Sequence, residues 1–242
     1  MLDLRGKKVL VTGSSQGIGK EIAKALSDCG ATVYAHGTKI SEKLKQAAEY
    51  IGAEKYFAAD LSDIDETKAL KKQTGDVDIL ILNASVQYKE KWDEIGLDTF
   101  EKQVNTNLRS TLILMQEYIP SMKENGFGRV ITVGSVNQHR THPELGLYSA
   151  TKCAVMKLVE NVAKDVAPFG VTVNNIAPGA IATPRNEDVY NDEQKRKAVE
   201  AVIPTGRFGT PCDCVGTVLL LCSDAGEYIT GADILIDGGM HL

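Results

Sequence analysis

The sequence lacks most of the features that would place it outside the ordinary globular class. Aromatic residues make up 6% of its 242 positions, and the longest dense apolar stretch, Val218–Cys222, is too short to span a bilayer. No Pro/Gly/Ser linker, internal repeat or low-complexity segment divides the chain. Hydrophobic residues make up 43%, enough for a sizeable core. Disorder, collagen-like repeats and a disulfide miniprotein are excluded, and one domain is expected over residues 1–242.

Positive charge is also scarce, because 27 Lys and Arg face 32 Asp and Glu and leave a net charge of −5. Neither nucleic acid nor a membrane is therefore an expected partner. The five cysteines are an odd number without framework spacing, which suits a reducing cytoplasm. The residues from Met1 to Lys8 lead straight into a strand-like run, so no secretory signal is expected.

Short β-branched runs alternate with longer amphipathic stretches almost from end to end. Runs such as Ile79–Leu82 and Val130–Val133 do not alternate with polar residues, which is typical of parallel strands covered on both faces. The pattern predicts an α/β fold, a Rossmann-like doubly wound parallel β-sheet flanked by helices on both faces. The predicted strands are Val9–Thr12, Thr32–Ala35, Tyr56–Ala59, Asp78–Leu82, Arg129–Val133, Val171–Ile176 and Ile234–Ile236. The predicted helices are Ile18–Cys29, Ser41–Ile51, Asp63–Lys72, Thr99–Lys123, Ser149–Val166 and Cys212–Cys222.

One polar stretch, at about 180–204, interrupts this alternation and carries a single short helical pattern near Asp192–Val202. A loop of this length inside a compact domain is usually a lid or a binding loop. A substrate lid is therefore expected here, with a solvated surface excursion as the alternative.

A glycine-rich turn follows the first predicted strand. The residues from Thr12 to Gly19 read TGSSQGIG and lead directly into a predicted helix. Glycine lets the backbone turn tightly and approach a ligand, and free N–H groups at a helix start suit a pyrophosphate. The G-x-x-x-G-x-G spacing differs from G-x-G-x-x-G, and a purely structural turn is the alternative. The strand–turn–helix context favours a dinucleotide site.

The end of the second predicted strand has no acidic residue. Gly37, Thr38 and Lys39 stand where Asp or Glu would bind the ribose hydroxyls of NAD and repel a 2′-phosphate. This favours NADP(H) as cofactor, with NAD(H) as the alternative. Asp60, after the third predicted strand, has two interpretations: it caps the helix that begins near Asp63, or it contacts the adenine amine.

Tyr148 and Lys152 lie four positions apart at the start of a predicted helix, so their side chains share one face. With 8 tyrosines and 27 basic residues, chance alone gives about one such pair, so the chemistry carries the argument. A phenol with a pKa of ~10 is a poor base at pH 7, and lowering that pKa to 7 requires about 4 kcal/mol. A nearby ammonium favours the phenolate. Such a tyrosine can donate a proton to a carbonyl oxygen or remove one from an alcohol.

Two further polar residues are candidates for the same chemistry. Ser135 follows the strand Arg129–Val133 through Gly134, at the edge of a parallel sheet where ligands bind. It can hydrogen-bond a reacting oxygen, or it is a simple turn serine. Asn107 lies in an otherwise apolar helical pattern. A buried asparagine needs partners, so Asn107 either stabilises a kink or belongs to a proton relay with water.

Together these motifs resemble the short-chain dehydrogenase/reductase family along essentially the whole chain. The matching motifs, in the family's order and spacing, are Thr12-Gly13-x3-Gly17-x-Gly19, Asn83-Ala84, Asn107, Ser135, Tyr148-x3-Lys152, Asn175-x-Ala177-Pro178-Gly179 and Asp237-Gly238-Gly239. The resemblance implies that Tyr148 is the general acid/base, that Ser135 orients the substrate oxygen and that Lys152 lowers the pKa of the tyrosine and holds the nicotinamide ribose. Asn107 would order a relay water.

The resemblance also implies an assembly and a set of cofactor contacts. Family members are commonly tetramers, built by pairing the helices that carry Asn107 and Lys152 and by C-terminal contacts, so a homotetramer or homodimer is expected. Besides Tyr148 and Lys152, the residues expected to bind the cofactor are Gly13, Ser15, Gln16, Gly17, Ile18, Gly19, Gly37, Thr38, Lys39, Asp60, Leu61, Asn83, Ala84, Pro178, Gly179, Ile181 and Thr183.

Three positions depart from the family pattern. Ser85 stands where the family usually has glycine, Leu147 where it often has asparagine, and Gln16 where NADP-preferring relatives often have arginine. Ser85 either narrows the approach to the backbone or reaches the substrate. Gln16 weakens the preference for NADP, whereas Gly37-Thr38 resembles the small residue–Thr pair of NADP-using 3-oxoacyl-(acyl carrier protein) reductases.

Those acyl reductases dock an acidic carrier protein on basic residues. Arg129 matches one such position, but Phe169 stands where a second basic residue is expected. The loop at 136–144 is rich in amide, imidazole and guanidinium groups that could bind a sugar, polyol or hydroxy acid. Alternatively, it faces solvent or a neighbouring subunit. The expected substrate contacts are Ser85, Asn137, Gln138 and His142.

The sequence therefore predicts an enzyme that transfers a hydride between NAD(P) and an alcohol or carbonyl of a small hydroxylated molecule. One alternative is a 3-oxoacyl-(acyl carrier protein) reductase of fatty-acid synthesis. Another, of a different class, is a non-catalytic NAD(P)-sensing protein on the same fold. No metal is expected, because His139 and His142 have no evident third ligand and Cys212 and Cys214 have the wrong spacing for zinc.

Overall fold

The computed structural model describes residues 2–242, so Met1 of the N-terminal segment lies outside it. The described residues contain one sheet in which every pairing of neighbouring strands is parallel. Each predicted strand is confirmed, with ends that shift by at most two residues. The strands are β1 Lys8–Val11, β2 Thr32–Gly37, β3 Lys55–Ala58, β4 Ile79–Leu82, β5 Gly128–Val133, β6 Val171–Pro178 and β7 Asp233–Ile236.

Helices cover both faces of this sheet, which confirms the predicted fold. Alternate residues of each strand face opposite layers: Ile79 and Ile81 pack with the layer of α1, α2 and α9, and Leu80 and Leu82 with the layer of α3, α5 and α6. The helices are α1 Gly17–Asp28, α2 Glu42–Ile51, α3 Ile64–Thr74, α4 Leu97–Val104, α5 Ser110–Glu124, α6 Gly146–Val166, α7 Glu187–Tyr190, α8 Glu193–Glu200 and α9 Val215–Cys222. Within residues 2–242, no helix has the length and apolar character that crossing a bilayer requires.

The strands of the sheet lie in the order β3-β2-β1-β4-β5-β6-β7. From β1 to β3 the chain adds strands toward one edge and from β4 to β7 toward the other, so the order of addition reverses between β1 and β4. Loops that leave the carboxyl ends of β1 and β4 turn to opposite faces there and open a crevice, which is where ligands bind in sheets of this kind. The sequence order thus brings the glycine turn, the residues after β4 and the residues after β5 to one edge.

Two elements differ from their predictions. The helix predicted over Thr99–Lys123 is divided into α4 and α5 by a π-helical segment, Asn105–Arg109. The polar stretch 180–204 is more helical than predicted: α8 corresponds to the expected pattern, but a 3-10 turn, Pro184–Asn186, and α7 precede it. Short helices of this kind form only where neighbouring elements hold them, since isolated turns are marginal in water.

Candidate active site

The glycine turn leaves no room for side chains where β1 passes into α1. Gly13 and Gly17 have φ angles of +65° and +58°, and a Cβ on Gly13 would lie 2.9 Å from the Cα of Ala84. Helix α1 begins at Gly17, and the side chain of its N-cap residue, Gln16, makes no capping hydrogen bond. The backbone N–H groups of the first turn of α1 are therefore left for a ligand, and the bare turn fits an anionic pyrophosphate.

We expect Gly13→Ala to lower the free energy of unfolding by about 3 kcal/mol, because it combines left-handed backbone strain with a clash. Denaturant unfolding measures the change. Gly126→Ala is the matched control, because Gly126 has a φ of +66° and nothing within 4 Å of its Cβ position. The control should lose only the strain component, about 1 kcal/mol. If both variants lost the same free energy of unfolding, Ala84 would have moved to make room for the new methyl group, and the turn would not be tightly packed.

A cavity of about 570 Å³ opens at the carboxyl ends of the strands and brings most of the predicted site residues together. Gly19, Lys39, Asn107, Gln138 and Lys152 lie outside its lining. The predicted residues that line it are Gly13, Ser15, Gln16, Gly17, Ile18, Gly37, Thr38, Asp60, Leu61, Asn83, Ala84, Ser85, Ser135, Asn137, His142, Tyr148, Pro178, Gly179, Ile181 and Thr183.

Asn83 fixes the glycine turn against the end of β4. Its Nδ2 donates to the carbonyl oxygens of Thr12 (2.9 Å) and Gly13 (3.1 Å). A Cβ on Gly19 would collide with this same amide, so Gly19 serves the packing of α1 against Asn83. The turn and the residues after β4 therefore form one rigid unit.

At the β2 end of the cavity, Asp60 does not cap a helix. Its Oδ1 accepts hydrogen bonds from Ser62 N (2.9 Å) and Ser62 Oγ (2.7 Å), and Asp63 caps α3 by accepting from Glu66 N. The capping interpretation is thus wrong. Asp60 lines the cavity, and the Ser62 hydrogen bonds hold the pKa of its carboxyl below the ordinary value.

Lys43 on α2 reaches the glycine turn, which the sequence pattern did not reveal. Its Nζ donates to the Oε1 of Gln16, a residue of the cavity lining. The cation therefore lies beside Gln16, the position where the family pattern often has arginine. Lys39, predicted to supply charge here, is exposed outside the lining.

Tyr148 lies in the first turn of α6 and is 4% exposed. Lys152, one turn further, is buried, and its Nζ donates to the carbonyl oxygen of Val133 (2.7 Å) and lies 5.7 Å from the centre of the tyrosine ring. Burial, and after it the positive charge of Arg185, lowers the pKa of Lys152 to about 7. The lysine therefore changes charge near neutral pH, which the sequence alone did not predict.

Ser135 both caps a short turn and faces the cavity. Its Oγ accepts a hydrogen bond from Asn137 N (3.2 Å) at the start of the 3-10 turn Val136–Gln138. The hydroxyl proton is left free to be donated. Ser135 is thus a turn serine that also lines the cavity, and its hydrogen bond to a reacting oxygen stays a prediction.

A polar network behind Ser135 fixes its backbone. Gln138 Oε1 accepts from Ser135 N (2.7 Å), and Gln138 Nε2 donates to Asp233 Oδ2 (3.2 Å). Asp233, at the start of β7, also pairs with His139 Nε2 (2.8 Å) and accepts from Asn175 Nδ2 (2.6 Å). The side-chain amide of Gln138, predicted to bind substrate, is thus engaged inside the protein. No sequence signal identified Asp233.

Asn107 lies inside the π-helical segment and is 1% exposed. Its Oδ1 accepts from Val86 N (2.9 Å), and its Nδ2 donates to Val86 O (2.9 Å) and to Thr151 Oγ1 (3.2 Å). These contacts favour the kink-stabilising interpretation, because the side chain ties the opened helix to the segment after β4. The relay water stays a prediction.

Arg129, which matches a carrier-docking position in sequence, is buried and 4% exposed. Its guanidinium donates to the carbonyl oxygens of Gly128 and Gly170 and lies 4.4 Å from the ring centre of Phe127. Packing against Phe127 turns the group inward, so Arg129 offers almost no surface to the carrier protein that its sequence match suggested as a partner.

Comparison with known proteins agrees with this geometry. A protein-family model described as enoyl-(acyl carrier protein) reductase matches residues 13–241. The chain is 37% identical to a 3-oxoacyl-(acyl-carrier-protein) reductase of Haemophilus influenzae, covering 99% of this chain and 100% of that one. It is 32% identical to a 2-dehydro-3-deoxy-D-gluconate 5-dehydrogenase of Bacillus subtilis, covering 98% and 95%.

Among solved structures, a 3-oxoacyl (acyl-carrier-protein) reductase of Agrobacterium tumefaciens C58 with NADP bound is similar with a TM-score of 0.94 and 34% identity, covering 98% of this chain and 95% of that one. The match of fold, site motifs and length extends over nearly the whole chain. The chain belongs to the short-chain dehydrogenase/reductase family, and it is an NAD(P)-dependent oxidoreductase that acts on small molecules.

Proposed function

We propose that the protein interconverts an alcohol and a carbonyl group on a small polar substrate, with Tyr148 as the general acid/base. One observation carries the proposal. Tyr148 and Ser135 line the same cavity, and the side-chain nitrogen of Lys152 lies one helical turn behind the tyrosine. A proton donor, an oxygen-orienting hydroxyl and a cation are the groups that carbonyl reduction needs.

Each residue has one task in this mechanism. A bound nicotinamide supplies or accepts the hydride. Ser135 donates its free hydroxyl proton to the substrate oxygen. Tyr148 gives a proton to that oxygen in reduction and takes it back in oxidation, and a protonated Lys152 favours the phenolate form.

The glycine turn and the lid supply the cofactor contacts in this proposal. A Cβ placed on Gly17 would meet Thr183 Cγ2 at 3.5 Å, so the start of α1 lies directly beside the segment after β6, and the φ of +58° at Gly17 favours glycine there. We assign residues 180–204 as a substrate lid. The support is that Ile181, Thr183, Val189 and Val199 of this stretch line the cavity.

NADP(H) is the preferred cofactor in this proposal, with NAD(H) possible. The end of β2 presents Gly37 and Thr38 instead of a carboxylate, and Lys43 brings a cation to Gln16. This lysine compensates for the arginine that the glycine turn lacks. The similar Agrobacterium structure contains NADP, which supports the same preference.

We expect Lys43→Gln to raise the Kd for NADPH about fivefold and to leave the Kd for NADH nearly unchanged, because an exposed cation contributes about 1 kcal/mol to binding a phosphate. Fluorescence titration of the reduced nicotinamides measures both constants. Lys45→Gln is the matched control on the same helix, where Lys45 pairs with Glu42 and not with Gln16. If Lys43→Gln raised the Kd for NADPH and for NADH by the same factor, the assignment of Lys43 to the 2′-phosphate of NADP(H) would be contradicted.

The substrate class follows from the polar loop and from the burial of Arg129. Three polar residues of the loop 136–144, Asn137, Arg140 and His142, line the cavity, and their amide, guanidinium and imidazole groups suit a sugar, polyol or hydroxy acid. The inward position of Arg129 removes one basic residue from the expected carrier-docking surface, and the exposed Phe169 offers no replacement. The acyl-carrier alternative is therefore disfavoured, and family membership disfavours the non-catalytic sensor.

The proposal also includes an oligomeric assembly and a cytoplasmic location. Exposed Leu97, Phe100 and Leu112 lie on α4 and α5, the helices on either side of Asn107, and support pairing with a second copy in a homotetramer or homodimer. The protein's five cysteines are all free thiols, which supports a reducing cytoplasm.

Absorbance of the reduced nicotinamide tests the proposal directly. Sugars, polyols, hydroxy acids and short 3-oxoacyl thioesters are each offered with NADP and with NAD. We expect turnover with a polar hydroxylated compound and NADP. Exclusive activity on acyl thioesters would overturn the substrate class, and clear preference for NAD would overturn the cofactor assignment.

A further inference from the structure

The charged side chains that line the cavity are almost all cationic. Lys89, Lys102, Arg140 and Arg185 line it, and Asp60 is the one carboxylate in the lining formed by residues 2–242. The whole chain has a net charge of −5. The positive cavity is therefore a local feature and not a consequence of overall composition.

Two of these cations have an acidic partner nearby. The Nζ of Lys89 lies 2.8 Å from a carboxylate oxygen of Asp188 on α7. After the Ser62 hydrogen bonds, the positive charge of Lys102 also contributes to the low pKa of Asp60, which places these two opposite charges near each other. Lys89 is therefore neutralised by an ion pair, whereas Lys102 makes no ion pair among residues 2–242 and acts on Asp60 only as the smallest of the effects on that carboxyl.

Arg140 and Arg185 have no such compensation. The Nη2 of Arg185 donates to the carbonyl oxygen (2.7 Å) and Oγ (3.0 Å) of Ser85, both neutral groups. Across residues 2–242, the guanidinium of half-buried Arg140 makes neither a hydrogen bond nor an ion pair. A guanidinium has five donors in a planar fork that matches a carboxylate, so two incompletely used forks in one cavity are suited to an anion.

Both arginines belong to the catalytic end of the cavity. Arg185 is fastened to Ser85, just after the end of β4, and its charge reaches Lys152 strongly enough to lower the lysine pKa further after burial. Arg140 lies in the loop that connects Ser135 to Tyr148. An anion bound here would offset the charge of Arg185 and favour the protonated lysine, the form that supports the phenolate.

We propose that the substrate carries a carboxylate, and that Arg185 and Arg140 bind it beside the reacting alcohol or carbonyl. The inference rests on the proposed function and narrows its substrate class to a sugar acid or other hydroxy acid. The alternative source of negative charge, a cofactor phosphate, is an outcome of the test.

Four- to six-carbon aldonates, each paired with the alditol that differs only in replacing the carboxylate by CH2OH, form the panel for the holoenzyme. We expect kcat/KM to favour the acid about 10- to 100-fold, mainly through KM, because charge-assisted hydrogen bonds are involved. Arg185→Gln and Arg140→Gln should each lower that ratio about tenfold. Arg185→Lys should restore part of it, and rising salt should raise KM for the acid alone.

Arg196→Gln is the matched control, because Arg196 lies in the same lid on α8, contacts Tyr190 and is not part of the cavity lining. Its acid-to-alditol ratio should stay that of the parent. Calorimetry with the NADPH complex adds a readout that does not depend on turnover, namely tighter binding of at least one aldonate than of its alditol.

Equal binding and equal kcat/KM for every acid–alditol pair would overturn the inference and leave the proposed function intact. Arginine variants that change only the Kd for NADPH would overturn it too, because the guanidinium groups would then serve a cofactor phosphate. Absence of turnover with every compound would count against the proposed function, and the calorimetric comparison would still decide the carboxylate site.

Discussion

Tyr148→Phe is expected to reduce kcat by about 10²- to 10⁴-fold while the fold and the Kd for NADPH change little. The substitution removes one hydroxyl from a buried ring, so the packing of α6 is retained. The expected loss of kcat equals the rate enhancement that a positioned general acid or base typically contributes. Initial rates with reduced nicotinamide, together with fluorescence titration of NADPH, separate chemistry from binding.

Tyr34→Phe is the matched control for this experiment. Tyr34 is similarly buried, at 5% exposure, but it packs edge-on against Phe57 and does not line the cavity. Its kcat should stay within about twofold of the parent. If Tyr148→Phe retains most of its kcat, another group must transfer the proton, and the assignment fails.

The sheet could be predicted because its signal is local. Runs such as Ile79–Leu82 are buried on both faces, and four consecutive apolar residues express that burial directly in the sequence. The glycine turn could be predicted for the same reason, since the spacing of its glycines indicates positive φ angles and a backbone that a ligand can approach closely. Both predictions depended on residues that are close together in the chain.

The supports of the site could not be predicted, because they join distant residues. Gln138 reaches Asp233 across 95 positions, and Lys43 reaches Gln16 across 27. The π-helical break depends on the pairing of Asn107 with Val86, which no helical periodicity encodes. In the same way, a basic residue at position 129 could be read as a surface group until packing against Phe127 placed it inside.

Lys152→Met should stabilise the protein while it removes activity. The structure keeps this ammonium in a buried site, where it retains one hydrogen bond to the carbonyl oxygen of Val133. Buried ion pairs replaced by apolar side chains of similar volume are often neutral or stabilising by about 1–4 kcal/mol, and a buried ammonium without a carboxylate partner carries a desolvation cost of the same kind. We expect a gain of about 2 kcal/mol at pH 6, measured by denaturant unfolding.

The gain should depend on pH in a defined direction. Burial lowers the pKa of Lys152 from 10.5 to about 7, so between these values the unfolded chain holds a proton that the folded chain has released. The lysine therefore makes the free energy of unfolding rise with pH across that window, and its full penalty is present below pH 7. The methionine variant lacks this contribution, so its advantage over the parent should shrink from pH 6 to pH 9.

Lys157→Met provides the comparison, because Lys157 is an exposed residue of the same helix that pairs with Glu160. Its effect on stability should be small and independent of pH. A Lys152→Met protein that is less stable than its parent at pH 6 would contradict the argument, as would a gain of equal size at both pH values. The expected result means that the charge beside Tyr148 is kept at the expense of stability, and that cost is reasonable only if the charge acts on the tyrosine.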